Sequence, residues 1–300
     1  MQEKSKDAVR IVLGTVALGV PYGFSSYGQP SEVEANEIFN FSHISGITRF
    51  DTAPSYGQAE YLLGQYVKSN TNQKIDVWTK LSNLEVGPNL GKEVVTSLEN
   101  SLRQLNCNSV EYLQWHNWNA GMIADPYFLA AWKLLRSNDG IKGLGASTYG
   151  VQDALAAVQS GLFDLVQIEW NLLNQSVLNA IGQLASQNGV EIALRSVFLQ
   201  GVLTAKGENL PNHLWKLAAP RDRAAKLAMD FEMPINALAL RAALDHVAKP
   251  YVLIGPDRLP QLQEIIEHSK LDPLTEFQLK LITNLNEEKN HMVDPRNWQR

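Results

Sequence analysis

The chain has 300 residues, 45% of them hydrophobic and 19% charged, the balance of a globular protein with a sizeable core. Its formal net charge is −5 and it carries no dense Lys/Arg tract, which argues against nucleic acid or anionic lipid as a partner. The single cysteine, Cys107, excludes an internal disulfide and fits a reducing, cytoplasmic compartment.

The first apolar run, Ile11 to Val20, follows Lys4, Lys6 and Arg10 and loosely imitates a signal peptide. Glu3 and Asp7 break the basic flank, Gly14, Thr15 and Gly19 break the run, and PYGF stands where a small-residue cleavage site belongs. RIVLGT (10–15) therefore reads as a buried strand, and no later stretch has the length that spans a bilayer. SEVEANEIFNFSHISG (31–46) is a helix, with Ser31 as N-cap and Glu34 in capping-box register. TRFDTA (48–53) is a strand, QAEYLLGQYVK (58–68) a helix, KIDVWTK (74–80) a strand and KEVVTSLENSLRQL (92–105) a helix. The alternation continues with strands at 109–116, 141–148, 163–170, 190–196 and 250–255. Helices are expected at 126–138, 151–161, 176–189, 220–231, 235–248, 259–268 and 274–288. The irregular stretch at about 201–219 is long for a compact domain, so it is expected to serve function.

Eight apolar strands, each separated from the next by at least one helix, predict a single-domain α/β fold, the (β/α)8 TIM barrel, over residues 1–300. A doubly wound sheet is the alternative, but GTVALGVPYG lacks the G-x-G-x-x-G spacing of its first turn.

Chemistry in such a barrel sits at the carboxyl ends of the strands. The second strand ends in Asp51, the third in Lys80 and the fourth in His116, with Tyr56 on the loop leaving the second. Asp51 would hold Lys80 charged, Lys80 would lower the pKa of the Tyr56 phenol, and His116 would donate toward a developing oxyanion. That set suits hydride addition to a carbonyl, with the hydride from a nicotinamide or flavin because no side chain can supply one. Each residue also has a plainer reading, as a cap, a solvated strand end, a packed histidine or a turn.

These segments resemble the aldo-keto reductase family, from about Leu13 to Ile265. FDTAPSYGQAEYLLG carries the resemblance most specifically. WTK, SLRQLNCNSVEYLQWH, GIKGLGAST, VQIEWNLLNQ and VLIGPDRLPQLQEI extend it. The resemblance implies catalytic Asp51, Tyr56, Lys80 and His116, a small-molecule aldehyde or ketone substrate, NADPH (NADH possible), and no metal. For the cofactor it implies Gly14 and Thr15 at the first strand, then Ser147 and Gln167 on the nicotinamide carboxamide. Ser196 and the backbone from Phe198 through Gln200 to Gly201 would meet the pyrophosphate.

Several positions depart from the family pattern. Thr148 replaces a common Asn, Val16 a common Trp, and Arg195 a common aromatic ring. Arg195 would stack on the nicotinamide and disfavour its cationic oxidised form, or else pair with a phosphate or anionic substrate. Where many members place Lys, Ser and Arg around the adenosine 2′-phosphate, this chain has Gly255, Pro256 and Gln261. Arg258 is the nearby cation, with Asp257 beside it. Trp118 and Trp170 are expected to wall the substrate pocket, and His213 and Trp215 to close over it. The insert PYGFSSYGQP (21–30) resembles one in a bacterial subset of the family associated with sugar metabolism. Two other functions fit the same barrel: a lyase or aldolase with a Lys80 Schiff base, and a non-catalytic nicotinamide-nucleotide sensor.

Overall fold

A computed structural model describes residues 10–24, 28–287 and 290–298. The flank containing Glu3, Lys4, Lys6 and Asp7 and positions 25–27 of the insert lie outside the described residues. The first half of the chain runs β1 (Ile11–Gly14), α1 (Val16–Gly19), α2 (Glu32–Ile44), β2 (Arg49–Asp51), α3 (Ala59–Ser69), β3 (Asp76–Leu81), α4 (Leu90–Gln104) and β4 (Val110–Trp115). It continues with α5 (Pro126–Arg136), β5 (Ile141–Ser147), α6 (Gly150–Gln159), β6 (Leu165–Glu169), α7 (Ser176–Asn188) and β7 (Glu191–Arg195). Then come α8 (Ala218–Asp230), α9 (Ile235–Leu244), β8 (Tyr251–Ile254), α10 (Leu259–His268) and α11 (Glu276–Ile282).

The eight strands pair in sequence order, all parallel, and β8 closes on β1. This is the expected (β/α)8 barrel. The capping box at α2 forms: Glu34 N–H donates to Ser31 Oγ at 3.3 Å, and Ser31 N–H to Glu34 Oε2 at 2.9 Å. The expected last helix, 274–288, is shorter, because α11 passes at Thr283 into a single 3-10 turn. The irregular stretch after β7 is built of three 3-10 turns, Leu199–Gly201, Ala205–Asn209 and Asn212–Leu217.

Strand alternation fills the barrel in layers. Tyr112 and Tyr251 both donate to Glu191 at the amino end. Above them Val12, Trp78, Leu165, Ala193 and Leu253 form a buried apolar layer. Two residues further along, the same strands present Gly14, Lys80, Gln167, Arg195 and Gly255. The larger apolar core lies outside the barrel, between strands and helices, with Phe50, Leu113, Leu144 and Ile168 facing it. The inward layer beneath the mouth thus carries Lys80, Gln167 and Arg195, although the strands are largely buried.

Candidate active site

Strand register brings the polar layer together. Gly14 pairs with Asp51, Lys80 with Gln114, and Ser147 with Gln167. Lys80 is fully buried, and its Nζ donates to Asp51 Oδ2 at 2.5 Å and to Thr52 O at 2.9 Å. Gln114 Nε2 and Gln167 Nε2 donate to Asp51 Oδ1 at 2.9 and 3.0 Å, and Gln167 Nε2 also reaches Gln114 Oε1 at 3.0 Å. Thr15 is buried with its N–H and Oγ1 both donating to Asp51 O. So one carboxylate anchors three strands and takes charge-assisted hydrogen bonds on both oxygens.

Tyr56 stands over this cluster. Its ring centroid is 5.0 Å from Lys80 Nζ and 6.0 Å from the His116 ring, which meets it edge-on. Ser82 Oγ lies 3.0 Å from His116 Nδ1; with that hydroxyl donating, the ring proton sits on Nε2. Burial, reinforced by Lys80 and Arg195, lowers the His116 pKa to about 3, so the ring is neutral. Burial raises the Tyr56 phenol above its ordinary pKa, and Asp51 adds to the rise. The expected lowering by Lys80 is not the net effect, because the phenol is desolvated and the Asp51 carboxylate disfavours a second negative charge.

Tyr56, His116 and Asp51 line a cavity of about 1010 Å³ at the carboxyl ends of the strands. Gly14, Val16, Ser147, Gln167 and Arg195 line it near Tyr56. Ser196, Phe198, Gln200 and Gly201 follow on the loop after β7, where Ser196, Leu199 and Gln200 have φ of 65°, 46° and 52°. Gly255, Pro256, Arg258 and Gln261 form the far end, beside α10. The cavity is long enough to join both ends, and buried Arg221 lines it with an Nε that lacks a hydrogen-bond partner among the described residues. An extended, anionic dinucleotide fits such a trough: Gly14 and Gly255 leave its β1–β8 wall open, and the unpaired donor needs an acceptor.

Other expected residues lie away from the cavity or are engaged in its wall. Trp118 and Trp170 are 1% and 2% exposed and do not line the cavity. Trp118 packs edge-on against Phe163 at 5.1 Å, on the helix side of the barrel. Thr148 also lies off the cavity; its carbonyl accepts from Arg195 Nη2 at 2.8 Å while its buried Oγ1 has no partner among the described residues. His213 is exposed, Trp215 is 67% exposed, and neither lines the cavity. Arg195 does line it, but Nη2 is 3.2 Å from Glu169 Oε2 and Nη1 donates to Gln167 O. Its charge is therefore partly answered inside the wall.

Sequence reading missed Gln114, although the two-residue period back from His116 pointed to it. It also missed Tyr22 and Tyr149, which line the cavity near Tyr56. Burial, with the neighbouring Tyr56 oxygen adding, pushes the Tyr22 phenol up to about 12. The Arg195 and Arg296 guanidinium carbons lie 4.3 and 3.7 Å from the Tyr149 ring centroid. Arg296 comes from the far end of the chain, and no local signal announces that contact.

A (β/α)8 barrel with titratable side chains converging on a cavity at its strand ends has the construction of an enzyme. The chain belongs to the aldo/keto reductase family, whose model matches residues 10–287, and so to a family of oxidoreductases that use nicotinamide cofactors. Aldo-keto reductase YhdN of Bacillus subtilis (strain 168) is 26% identical over 96% of this chain and 92% of its own. The NADH-specific methylglyoxal reductase of Escherichia coli (strain K12) is 25% identical over 54% of this chain and 56% of its own. Aldo-keto reductase AKR11C1 from Bacillus halodurans, solved in holo form, superposes with a TM-score of 0.77 at 20% identity, covering 92% of each chain. Among the described residues no helix is long and apolar enough to cross a membrane.

Proposed function

We propose that the protein reduces an aldehyde or ketone to an alcohol, with Tyr56 as proton donor and His116 as the second donor to the carbonyl oxygen. The observation that carries this reading is the Asp51–Lys80 pair, closed at 2.5 Å directly beneath Tyr56 at the cavity floor. A reduced nicotinamide, when bound, supplies the hydride that no side chain can. As negative charge grows on the carbonyl oxygen, the Tyr56 hydroxyl and the His116 N–H meet it as preorganised donors. A raised phenol pKa serves this role: Tyr56 stays protonated until an alkoxide, a stronger base than phenolate, takes its proton. Lys80 and Arg195 then face the phenolate left behind, and Asp51 keeps Lys80 fixed below the ring.

Gly14, Val16, Ser147, Ser196 and the Phe198–Gly201 loop are the surfaces on which the cofactor would lie, with Gly255, Pro256, Arg258 and Gln261 at its adenosine end. NADPH would rely on Arg258 there, and relatives of this chain include one named as NADH-specific. The substrate would enter past Tyr22, Tyr149 and Arg296. A Schiff base on Lys80 finds less support: although burial lowers its pKa, the amine is off the cavity wall and locked to Asp51. A sensor that binds nucleotide without turnover has no need of the Tyr56–His116 pairing.

The test is Tyr56→Phe. Cofactor dissociation constants should stay within about twofold of wild type, and kcat on a panel of aldehydes and ketones should fall by roughly 10²–10⁴. Undiminished turnover in that variant would remove Tyr56 as the acid. No turnover by the wild type on any carbonyl, despite tight binding, would favour the sensor.

A further inference from the structure

We propose that Asp257 makes this chain select NADH over NADPH, by accepting a hydrogen bond from the adenosine ribose 2′-hydroxyl and repelling a 2′-phosphate. This assignment rests on the hydride-transfer reading, which puts nicotinamide at Tyr56 and the adenosine at the opposite end of the cavity, against β8 and α10.

Carboxylates and cations stand side by side at that end. Asp257 is 5% exposed and lines the cavity. Gln261 clamps it from both sides: Nε2 donates to Asp257 Oδ1 at 2.5 Å, and Oε1 accepts from Asp257 N–H at 3.0 Å. Lys206 Nζ stands 3.8 Å from Oδ2, an ion pair beyond direct hydrogen-bond distance. Oδ2 therefore keeps acceptor capacity toward the cavity. Arg258, the cation expected to hold a 2′-phosphate, has its Nη1 on two backbone carbonyls, Asp257 O at 2.5 Å and Gly28 O at 3.4 Å. Arg221 has Glu208 at 3.8 Å and Asp222 at 3.2 Å. Glu208 and Glu264 line this end as well, so three carboxylates face three cations.

A 2′-hydroxyl needs one acceptor, and a fixed carboxylate is a strong one. A 2′-phosphate would bring about two negative charges beside a buried carboxylate and would compete with Asp257 for Lys206. The start of α10 offers limited compensation. Its dipole favours an anion, but Pro260 removes an N–H from the first turn, and Asp257 already sits beside that end.

The experiment titrates the protein with NADH and with NADPH, following tryptophan fluorescence and confirming by calorimetry, with no turnover required. Wild type should bind NADH on the order of tenfold more tightly than NADPH. Asp257→Asn keeps an oxygen for Gln261; it should strengthen NADPH binding several-fold and bring the ratio close to one. Glu264→Gln, which leaves position 257 intact, should move the ratio in the same direction by less, and circular dichroism checks that both variants fold. Equal or tighter NADPH binding by the wild type overturns the proposal, as does an NADH preference that Asp257→Asn leaves in place. Binding of neither nucleotide overturns the hydride-transfer reading itself.

Discussion

Asp51 holds its place because three strands lend it donors, and that arrangement dictates the protonation of everything above it. Burying Lys80 alone would cost several kcal/mol; pairing it with Asp51 offsets that cost only because Gln114 and Gln167 satisfy the other carboxylate oxygen. With the ammonium so engaged, burial governs its neighbours, and both Tyr56 and His116 are held neutral. For His116 the consequence is measurable. Its folded pKa is about 3 against an ordinary 6.5, so between those values the unfolded chain binds a proton that the folded chain does not. Stability therefore falls as pH drops from about 6.5 toward 3, by up to about 1.4 kcal/mol per pH unit from this one group. His116→Gln should remove that contribution. Urea unfolding at pH 7, 6 and 5 should show the variant gaining on wild type by up to that slope; parallel curves would mean that His116 titrates near its ordinary value.

At the scale of elements, the loop that presents Tyr56 is fixed by a glycine contact. Gly57 has φ of 57°, and a Cβ there would lie 2.4 Å from Gly19 O. A Cβ on Gly19, at the end of α1, would lie 1.8 Å from Tyr56 O and 2.7 Å from Ala59 N. The turn after β1 and the turn after β2 thus touch backbone to backbone, which sets the height of Tyr56 over Lys80. Gly19→Ala should push the Tyr56 loop away and lower kcat by about tenfold or more, while Asp51, Lys80 and the adenosine end of the cavity stay in place. Steady-state kinetics beside nucleotide titration would separate the two; wild-type kcat in a folded variant would mean that the loop is not positioned by this contact. The sequence shows the elements and the tips of the strands plainly, because apolar period, caps and glycines are local signals. Ser31 with Glu34 could be read as a cap, and Asp51, Lys80 and His116 as successive strand ends. Trp118 and Trp170 could not be placed, because a residue one to three positions beyond a strand points inward or outward according to the turn that follows. Gln114 was legible by alternation from His116 and went unread. The Lys206–Asp257 pair was not legible, since its partners are 3-10 loop and strand-end residues that no periodicity relates.

At the scale of the molecule, the cavity is completed by residues that belong to no strand–helix unit. Asp294, Pro295 and Arg296 line it, and Arg296 lays its guanidinium over Tyr149 while Asp294 binds it through both carboxylate oxygens. Asn290 Nδ2 ties this segment to the loop after β7 by donating to Lys216 O at 3.2 Å, and Trp298 Nε1 folds the segment on itself by donating to Met292 O at 2.8 Å. Among the described residues the segment pairs with no barrel strand, so deleting residues 291–300 should leave the eight paired strands standing. Losing the buried Val293 and Trp298 side chains removes about 3–5 kcal/mol, a drop in melting temperature on the order of 10 °C. The wall opposite Tyr56 is lost with them, whereas Asp257, Gln261 and the loop after β7 remain. The deletion variant should therefore bind NADH within about threefold of wild type and show a carbonyl-substrate KM raised by roughly tenfold, with kcat less affected. A folded deletion variant with unchanged KM would place the substrate elsewhere in the trough; one that loses NADH binding and keeps KM would assign the chain's last turns to the cofactor.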